Sequence, residues 1–263
     1  MTVNPVLQLV LDTVDVWAAL MSRRKPPVEA LKACKIISHR GEHDNERVQE
    51  NTLEAFRIAR DAGAWGIETD IRWTRDLVPM VHHDPDTSRV FGKPLTISKT
   101  DFKSLREQVP QVPTFEELVA EFGGRVHLMI EIKAETFPCL EDQKAVLRKI
   151  LERLNPAEDY HFLALDPALF DAFDIQPRQA CLPVALTNIK DLSKVALERG
   201  YAGISGHFLL ITRKMQDRHK AGGQKIGPGF PASRNALYRE VNRGADWIFT
   251  NEAVKLLDII NKA

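Results

Sequence analysis

The sequence predicts an α/β protein, a TIM-type (β/α)8 barrel with an N-terminal helical extension, and three observations lead there. Short apolar runs end on chemistry-bearing residues: Ile36-Ile37-Ser38 on His39-Arg40-Gly41, and Trp65-Gly66-Ile67 on Glu68-Thr69-Asp70. Functional groups at strand ends are the habit of parallel α/β proteins. Strand and helix signals then alternate to the C-terminus, and the 263 residues are close to the roughly 250 that a barrel uses.

The extension, residues 1–34, contains an apolar stretch at 4–22 that Asp12 and Asp15 interrupt. The basic Arg23-Arg24-Lys25 follows this stretch rather than preceding it, so neither a signal peptide nor a membrane span is expected. On a helical wheel Gln8, Asp12, Asp15 and Ser22 share one side, and residues such as Leu7, Val10, Leu11, Val14, Trp17 and Leu20 fill the rest. So wide an apolar face needs cover, expected from the barrel bottom or from a subunit interface in a homo-oligomer. A helix lying on a membrane surface is the alternative, disfavoured by the acidic polar face. Pro26-Pro27 breaks the chain before the barrel domain, residues 35–263.

Within the barrel, strands are expected at 36–38, 65–71, 126–132, 160–165, 180–186, 202–205, 224–227 and 246–250. Helices fill the intervals. One opens at Glu50-Asn51-Thr52, presents Leu53, Phe56, Ile58 and Ala59 on its apolar face and ends near Gly63. Residues 79–83 form a short extension that returns His83 over the ends of the first strands. The polar segment 96–111 reads as an excursion without chemistry of its own. Thr114 and Glu117 make a capping box for the next helix, which stops at Gly123-Gly124. Helices at 140–154 and 189–199 continue the rhythm.

Composition narrows the function. The 44% hydrophobic and 27% charged shares are those of a soluble globular protein, and a formal net charge of zero gives no general affinity for nucleic acid. Cys34, Cys139 and Cys181 are odd in number and lack a CxxC pair. They are expected as reduced, buried thiols in a cytoplasmic protein.

Glu68 and Asp70, two apart on a strand, point the same way and offer hard oxygen ligands to one Mg²⁺ or Ca²⁺. His39 and His83 supply two imidazoles for proton transfer near neutral pH. Arg40 brings a planar fork that fits two phosphate oxygens. Together these read as phosphoester cleavage.

These residues, with Glu50-Asn51-Thr52, Pro79-Met80-Val81-His82-His83-Asp84 and Glu131-Ile132-Lys133, make the chain resemble the glycerophosphodiester phosphodiesterases. The resemblance implies the barrel fold and metal-dependent hydrolysis of a glycerophosphodiester to sn-glycerol 3-phosphate and an alcohol, through a cyclic phosphate. It implies His39 and His83 as the acid–base pair, with His82 facing the other way. It further implies Glu131 beside Glu68 and Asp70 on the metal, with Arg40, Glu50 and Lys133 toward the substrate. The Trp-Thr pair that many relatives carry near the seventh strand is replaced by Ile226-Gly227-Pro228-Gly229-Phe230. Phe208, Phe230 and Trp247 are the candidates for the missing alcohol-side contacts. The rival readings are a phospholipase D-like enzyme acting on lysophospholipids or sphingolipids, another TIM-barrel hydrolase such as a glycosidase, and a non-catalytic binding protein. His43, His127, His161, His207 and His219 match no motif.

Overall fold

The computed structural model describes residues 17–263. Eight parallel strands form a closed barrel: β1 (Lys35–His39), β2 (Gly66–Trp73), β4 (His127–Ile132), β5 (Tyr160–Ala164), β6 (Cys181–Ala185), β7 (Gly203–His207), β8 (Lys225–Gly229) and β9 (Trp247–Thr250). Pairing of β1 with both β2 and β9 closes the ring, and β3 (Pro79–Val81) adds antiparallel to the end of β2. All eight expected barrel strands are present, displaced at their ends by one or two residues.

The inner and outer faces follow from the two-residue period of a strand. Ile37, Met129, Leu163, Leu182 and Phe249 pack together inside the ring, while Ile36, Ile67, Leu128, Ile130 and Phe162 face outward into the larger core beneath the helices. The residues two steps beyond the inner set therefore surround the C-terminal mouth. They are His39 on β1, Glu131 on β4, Leu165 after β5, Val184 on β6 and Asn251 after β9. At the opposite end the ring is plugged by aromatic and imidazole rings, with His127 stacked on Trp65 at 4.4 Å and His161 edge-on to Trp247 at 5.1 Å.

Local signals hold where their chemistry is local. Thr114 and Glu117 form the capping box, and the helix Phe115–Phe122 stops at Gly123. Thr52 caps Leu53–Asp61 by accepting from the Ala55 N–H. Ile58, expected on that helix's buried face, is exposed, and Ala55 lies there instead beside Phe56 and Ala59. The 96–111 segment is less polar in place than in sequence, since Ile97, Leu105 and Val109 pack on Met80 in a small core of their own.

The expectation for the N-terminal apolar face lies outside the described residues up to residue 16. Residues 17–20 are helical, and Ala18 packs on Phe208, just past β7, and on Ala236, in the first turn of the helix that follows β8. This segment therefore sits by the barrel mouth, not at the bottom. Residues Val28–Lys32 form a short helix whose Leu31 is wholly buried in the main core. Among the thiols Cys181 is buried and Cys34 half-buried, but Cys139 is exposed, contrary to the expectation of buried thiols. No helix among the described residues is long and apolar enough to cross a membrane.

Candidate active site

Register assembles the site. The β1–β2 ladder sets His39 opposite Glu68, and the β2–β4 ladder sets Asp70 opposite Glu131. Ligand atoms of Glu68, Asp70 and Glu131 all lie within 4.8 Å of one another, and all three side chains are buried. Lys133, two residues beyond Glu131, places Nζ 2.7 Å from Asp70 Oδ1 and 2.6 Å from Glu131 Oε1. Arg40 Nε lies 3.2 Å from Asp70 Oδ2.

Three carboxylates thus face two cations. Burial, together with the neighbouring carboxylate charges, raises Glu68 and Glu131 above the usual carboxylate range. Against the same burial, the charges of Lys133 and Arg40 hold Asp70 well below it. The donor set suits a divalent cation, since it comprises hard oxygens with a negative surplus that would otherwise be relieved by protons.

The backbone around Arg40 is bent to make this fit. Arg40 adopts φ 58° and Asn51 φ 57°, both in the left-handed region that costs a non-glycine residue energy and is found at functional sites. Gly41 follows at φ 79°, and a Cβ there would lie 2.7 Å from Ala55. The reward is a set of hydrogen bonds. Arg40 N–H donates to the Glu68 carbonyl at 3.0 Å, and Asn51 N–H donates to the Arg40 carbonyl at 2.9 Å. Asn51 Nδ2 donates to Asp70 Oδ2 at 2.8 Å.

Each of the two imidazoles is fixed through Nδ1. His39 Nδ1 lies 2.6 Å from Asn251 Oδ1 and must carry its proton there, leaving Nε2 free and 3.7 Å from Glu68. His83 Nδ1 lies 2.7 Å from Asp84 Oδ1, which likewise frees Nε2. Burial, with the positive charge of Arg40 assisting and the negative charge of Asp70 opposing, lowers His39 to about 3. Burial also lowers His83 to about 4, with Asp70 opposing and Arg40 and Lys133 assisting. His39 stands beside Glu68, and His82 N–H donates to the Asp70 carbonyl at 3.0 Å, so that His83 follows directly on the residue bound to β2. His82 turns away, with Nε2 3.0 Å from the Asp86 carbonyl and its ring against Phe91.

Glu50 is engaged with cations on both oxygens. Oε1 accepts from Arg40 at 2.9 Å and from Arg89 at 2.6 Å, and Oε2 accepts from Asn45 and Arg89 at 2.9 Å. Arg89 also donates to Asp84 Oδ2 at 2.5 Å, so one guanidinium joins the carboxylates behind Arg40 and His83. Arg72 Nε holds the His83 carbonyl at 2.7 Å while its Nη1 pairs with Glu135 at 2.9 Å.

Sequence reasoning missed Asn251, Arg89 and Arg72. Only Arg72 carried a local signal, its two-residue step beyond Asp70. Of the aromatic candidates, Phe230 stands at the mouth with its ring edge-on to His39 at 5.2 Å. Phe208 is wholly buried, and Trp247 lies at the far end of β9 from the mouth. Neither can contact the alcohol side.

Residues 39–176 match the model of the Glycerophosphoryl diester phosphodiesterase family. A glycerophosphodiester phosphodiesterase of Caldanaerobacter subterraneus is 25% identical over 244 residues, covering 86% of this chain and 98% of the relative. Among solved structures, a phosphodiesterase of Oleispira antarctica in complex with the product sn-glycerol-3-phosphate superposes with a TM-score of 0.73 at 22% identity, over 88% of this chain and 99% of that one. The glycerophosphodiester phosphodiesterase of Thermotoga maritima gives a TM-score of 0.71 at 22% identity, over 86% and 98%.

Proposed function

The chain belongs to the glycerophosphoryl diester phosphodiesterase family, whose model takes in more than half of it, and on that premise we propose that it hydrolyses glycerophosphodiesters to glycerol 3-phosphate and an alcohol. The observation that carries the reading is the pair of imidazoles, both held at Nδ1, with His39 Nε2 3.7 Å from Glu68 and with the N–H of His82, the residue before His83, donating to the Asp70 carbonyl at 3.0 Å. The Oleispira relative that holds sn-glycerol-3-phosphate supports that product.

Glu68, Asp70 and Glu131 would hold one divalent cation, Mg²⁺ or Ca²⁺. When bound, it would offset the charge that builds on the phosphate oxygens as the ester bond breaks. Arg40 and Lys133 are the cationic groups beside that position, and they orient the phosphate. Glu50, whose oxygens are taken up by Arg40, Arg89 and Asn45, acts by aiming Arg40 rather than by touching substrate.

One imidazole Nε2 takes the proton of the attacking oxygen, which is water or the glycerol 2-hydroxyl. The other imidazole gives a proton to the departing alkoxide. If the 2-hydroxyl attacks, water opens the cyclic phosphate with the two rings exchanging roles. His39 and His83 are neutral at pH 7, which fits the base role directly. The ring that serves as acid takes up its proton as the anionic phosphate arrives beside it. The unpaired cysteines are what a reducing compartment keeps, and on them the enzyme is assigned to the cytoplasm.

The test is release of glycerol 3-phosphate from glycerophosphocholine by the purified protein, with Mg²⁺, with Ca²⁺ and with a chelator. Turnover that requires a divalent ion and falls about 10²-fold or more in His39→Ala and in His83→Ala is expected. No release under any metal condition, or full activity in either variant, would overturn the assignment.

A further inference from the structure

At the mouth, β7 and β8 differ in what they present. Ser205 lies on the inner face of β7, where a Cβ on Gly227 would stand 3.6 Å from its own and against the ring of Phe249 in the inner core. His207, two residues on, therefore faces the mouth. Its neighbour in register on β8 is Gly229, where a Cβ would meet nothing nearer than the Gly206 carbonyl at 3.5 Å. A side chain would fit there, and the chain supplies none. The mouth-side positions of β5 and β6 are Leu165 and Val184. Of these four positions His207 alone carries a hydrogen-bonding side chain.

The imidazole of His207 is held with its donor free. Leu209 N–H donates to Nδ1 at 3.4 Å, which puts the ring proton on Nε2. Nε2 has no hydrogen-bond partner among the described residues. The backbone is pinned on both sides, for Phe208 N–H donates to the Gly229 carbonyl at 3.0 Å and Leu210 N–H to the His207 carbonyl at 2.9 Å. The ring lies 6.3 Å from that of Phe230, whose edge meets His39 at 5.2 Å. His207 and His39 thus flank one aromatic ring. Phe230 holds φ 70°, costly for a bulky residue, and its N–H donates to the Phe249 carbonyl at 2.7 Å, so the fold maintains that spacing.

The charge around His207 decides what it can take. Burial lowers its pKa and the charge of Arg239 assists, so the ring is neutral at pH 7. Arg239 donates to the carbonyl of Phe208, the residue after His207, at 3.2 Å. Arg239 and Arg243 share the single carboxylate of Glu240, which leaves a positive surplus in this corner. A neutral N–H beside such a surplus suits a hydroxyl oxygen and disfavours an ammonium group.

Taking the phosphodiesterase reading above as the premise, we propose that His207 selects the departing alcohol, its Nε2–H donating to a hydroxyl that the alcohol carries, so that esters of polyols are preferred to esters of alkyl or amino alcohols. In phosphoryl transfer the entering and departing oxygens lie roughly in line across phosphorus. Glu68, Asp70, Glu131 and Lys133 take up the β2 and β4 side of the mouth. The departing alcohol is left the side of His39, Phe230 and His207. His207 meets it away from the bond that breaks, and proton transfer stays with His39 and His83.

The test measures kcat/KM for glycerophosphoglycerol and glycerophosphoinositol against glycerophosphopropanol and glycerophosphocholine, with divalent cation in excess, in the parent, His207→Phe and His207→Gln. The parent should favour the polyol esters by about 5-fold, the worth of one neutral hydrogen bond, through KM rather than kcat. His207→Phe keeps a ring beside Phe230 and removes the donor, so the preference should vanish. His207→Gln keeps an N–H and should recover part of it. Glycerol 3-phosphate, the common product, should inhibit the parent and His207→Phe with constants within about twofold of each other, less than the loss of one hydrogen bond would cause. Equal kcat/KM for all the esters in the parent, or a polyol preference that survives in His207→Phe, overturns the proposal and leaves the phosphodiesterase reading standing. Inhibition by glycerol 3-phosphate that weakens in step with the lost preference does the same, since it puts His207 on the glycerol side of the phosphate. No cleavage of any of these esters with either ion overturns both readings.

Discussion

Arg89 grips both carboxylate oxygens of Glu50, at 2.9 and 2.6 Å, from a helix 39 residues further along the chain. The same guanidinium holds Asp84, the partner of His83. Glu50 in turn holds Arg40. A single exposed-edge arginine thereby couples the loop after β1, which follows His39, to the loop after β3, which carries His83.

Arg89→Ala should therefore lower kcat by about 10-fold, short of the roughly 10²-fold that a one-ångström misplacement can cost, with a smaller effect on the ion required. Arg89→Lys restores the charge but not the fork, and should recover only part of the loss. Steady-state kinetics on both variants decides the matter, since activity within twofold of the parent in Arg89→Ala would show that the network does not position the histidines.

Asn251 fixes which nitrogen of His39 carries the proton. Asn251→Ala should lower kcat by about 10-fold, while His39→Ala costs about 10² or more. Because the asparagine acts only through the imidazole, the double variant should be no worse than His39→Ala alone. A double-mutant cycle tests this, and additive losses would mean that Asn251 has a role apart from His39.

A bound divalent ion should stabilise the fold, because Glu68 and Asp70 meet Glu131 only when β2 and β4 pair. Saturation at 100 times Kd adds about 2.7 kcal/mol, which for a chain of this size is several degrees of melting temperature. Thermal unfolding with and without Mg²⁺ or Ca²⁺ measures it. Asp70→Asn and Glu131→Gln should each remove most of the shift, and a shift that survives in both places the ion elsewhere.

The sequence made the barrel legible because each strand is a short apolar run whose partner is fixed by the fold class rather than by its neighbours. His39, Glu68, Asp70 and Glu131 were legible for the same reason, as polar residues that end or interrupt such runs. Arg89 and Asn251 were not. The Glu50 that Arg89 holds lies 39 residues away and the His39 that Asn251 holds 212, and neither residue ends or interrupts an apolar run as the legible ones do. The exposed leucines after β5 and β6 were hidden differently. Leu165 and Leu186 read as the last residues of strands, and only the strand ends at Ala164 and Ala185 show that they stand clear of the sheet.

The barrel bottom should make the protein acid-sensitive. His127 Nδ1 donates to the Glu158 carbonyl at 2.9 Å, so its Nε2 must accept from His161 Nδ1 at 2.7 Å, and the pair is built from two neutral rings. Burial lowers His127 to about 4 and His161 to about 3, the charge of His127 adding to the effect on His161. In the unfolded chain both titrate near the ordinary 6.5, so below that pH the unfolded state takes up protons that the folded state refuses. Stability is thus fully present above about pH 6.5 and is lost as pH falls toward 4, by about 2 kcal/mol per histidine at pH 5. His161→Gln removes one of the two groups. The variant should be less stable than the parent at pH 7.5, where the buried hydrogen bond is disturbed. Yet it should lose about 2 kcal/mol less between pH 7.5 and pH 5. Urea unfolding of both proteins at the two pH values gives that difference, and equal acid losses would show that the pair is not held neutral.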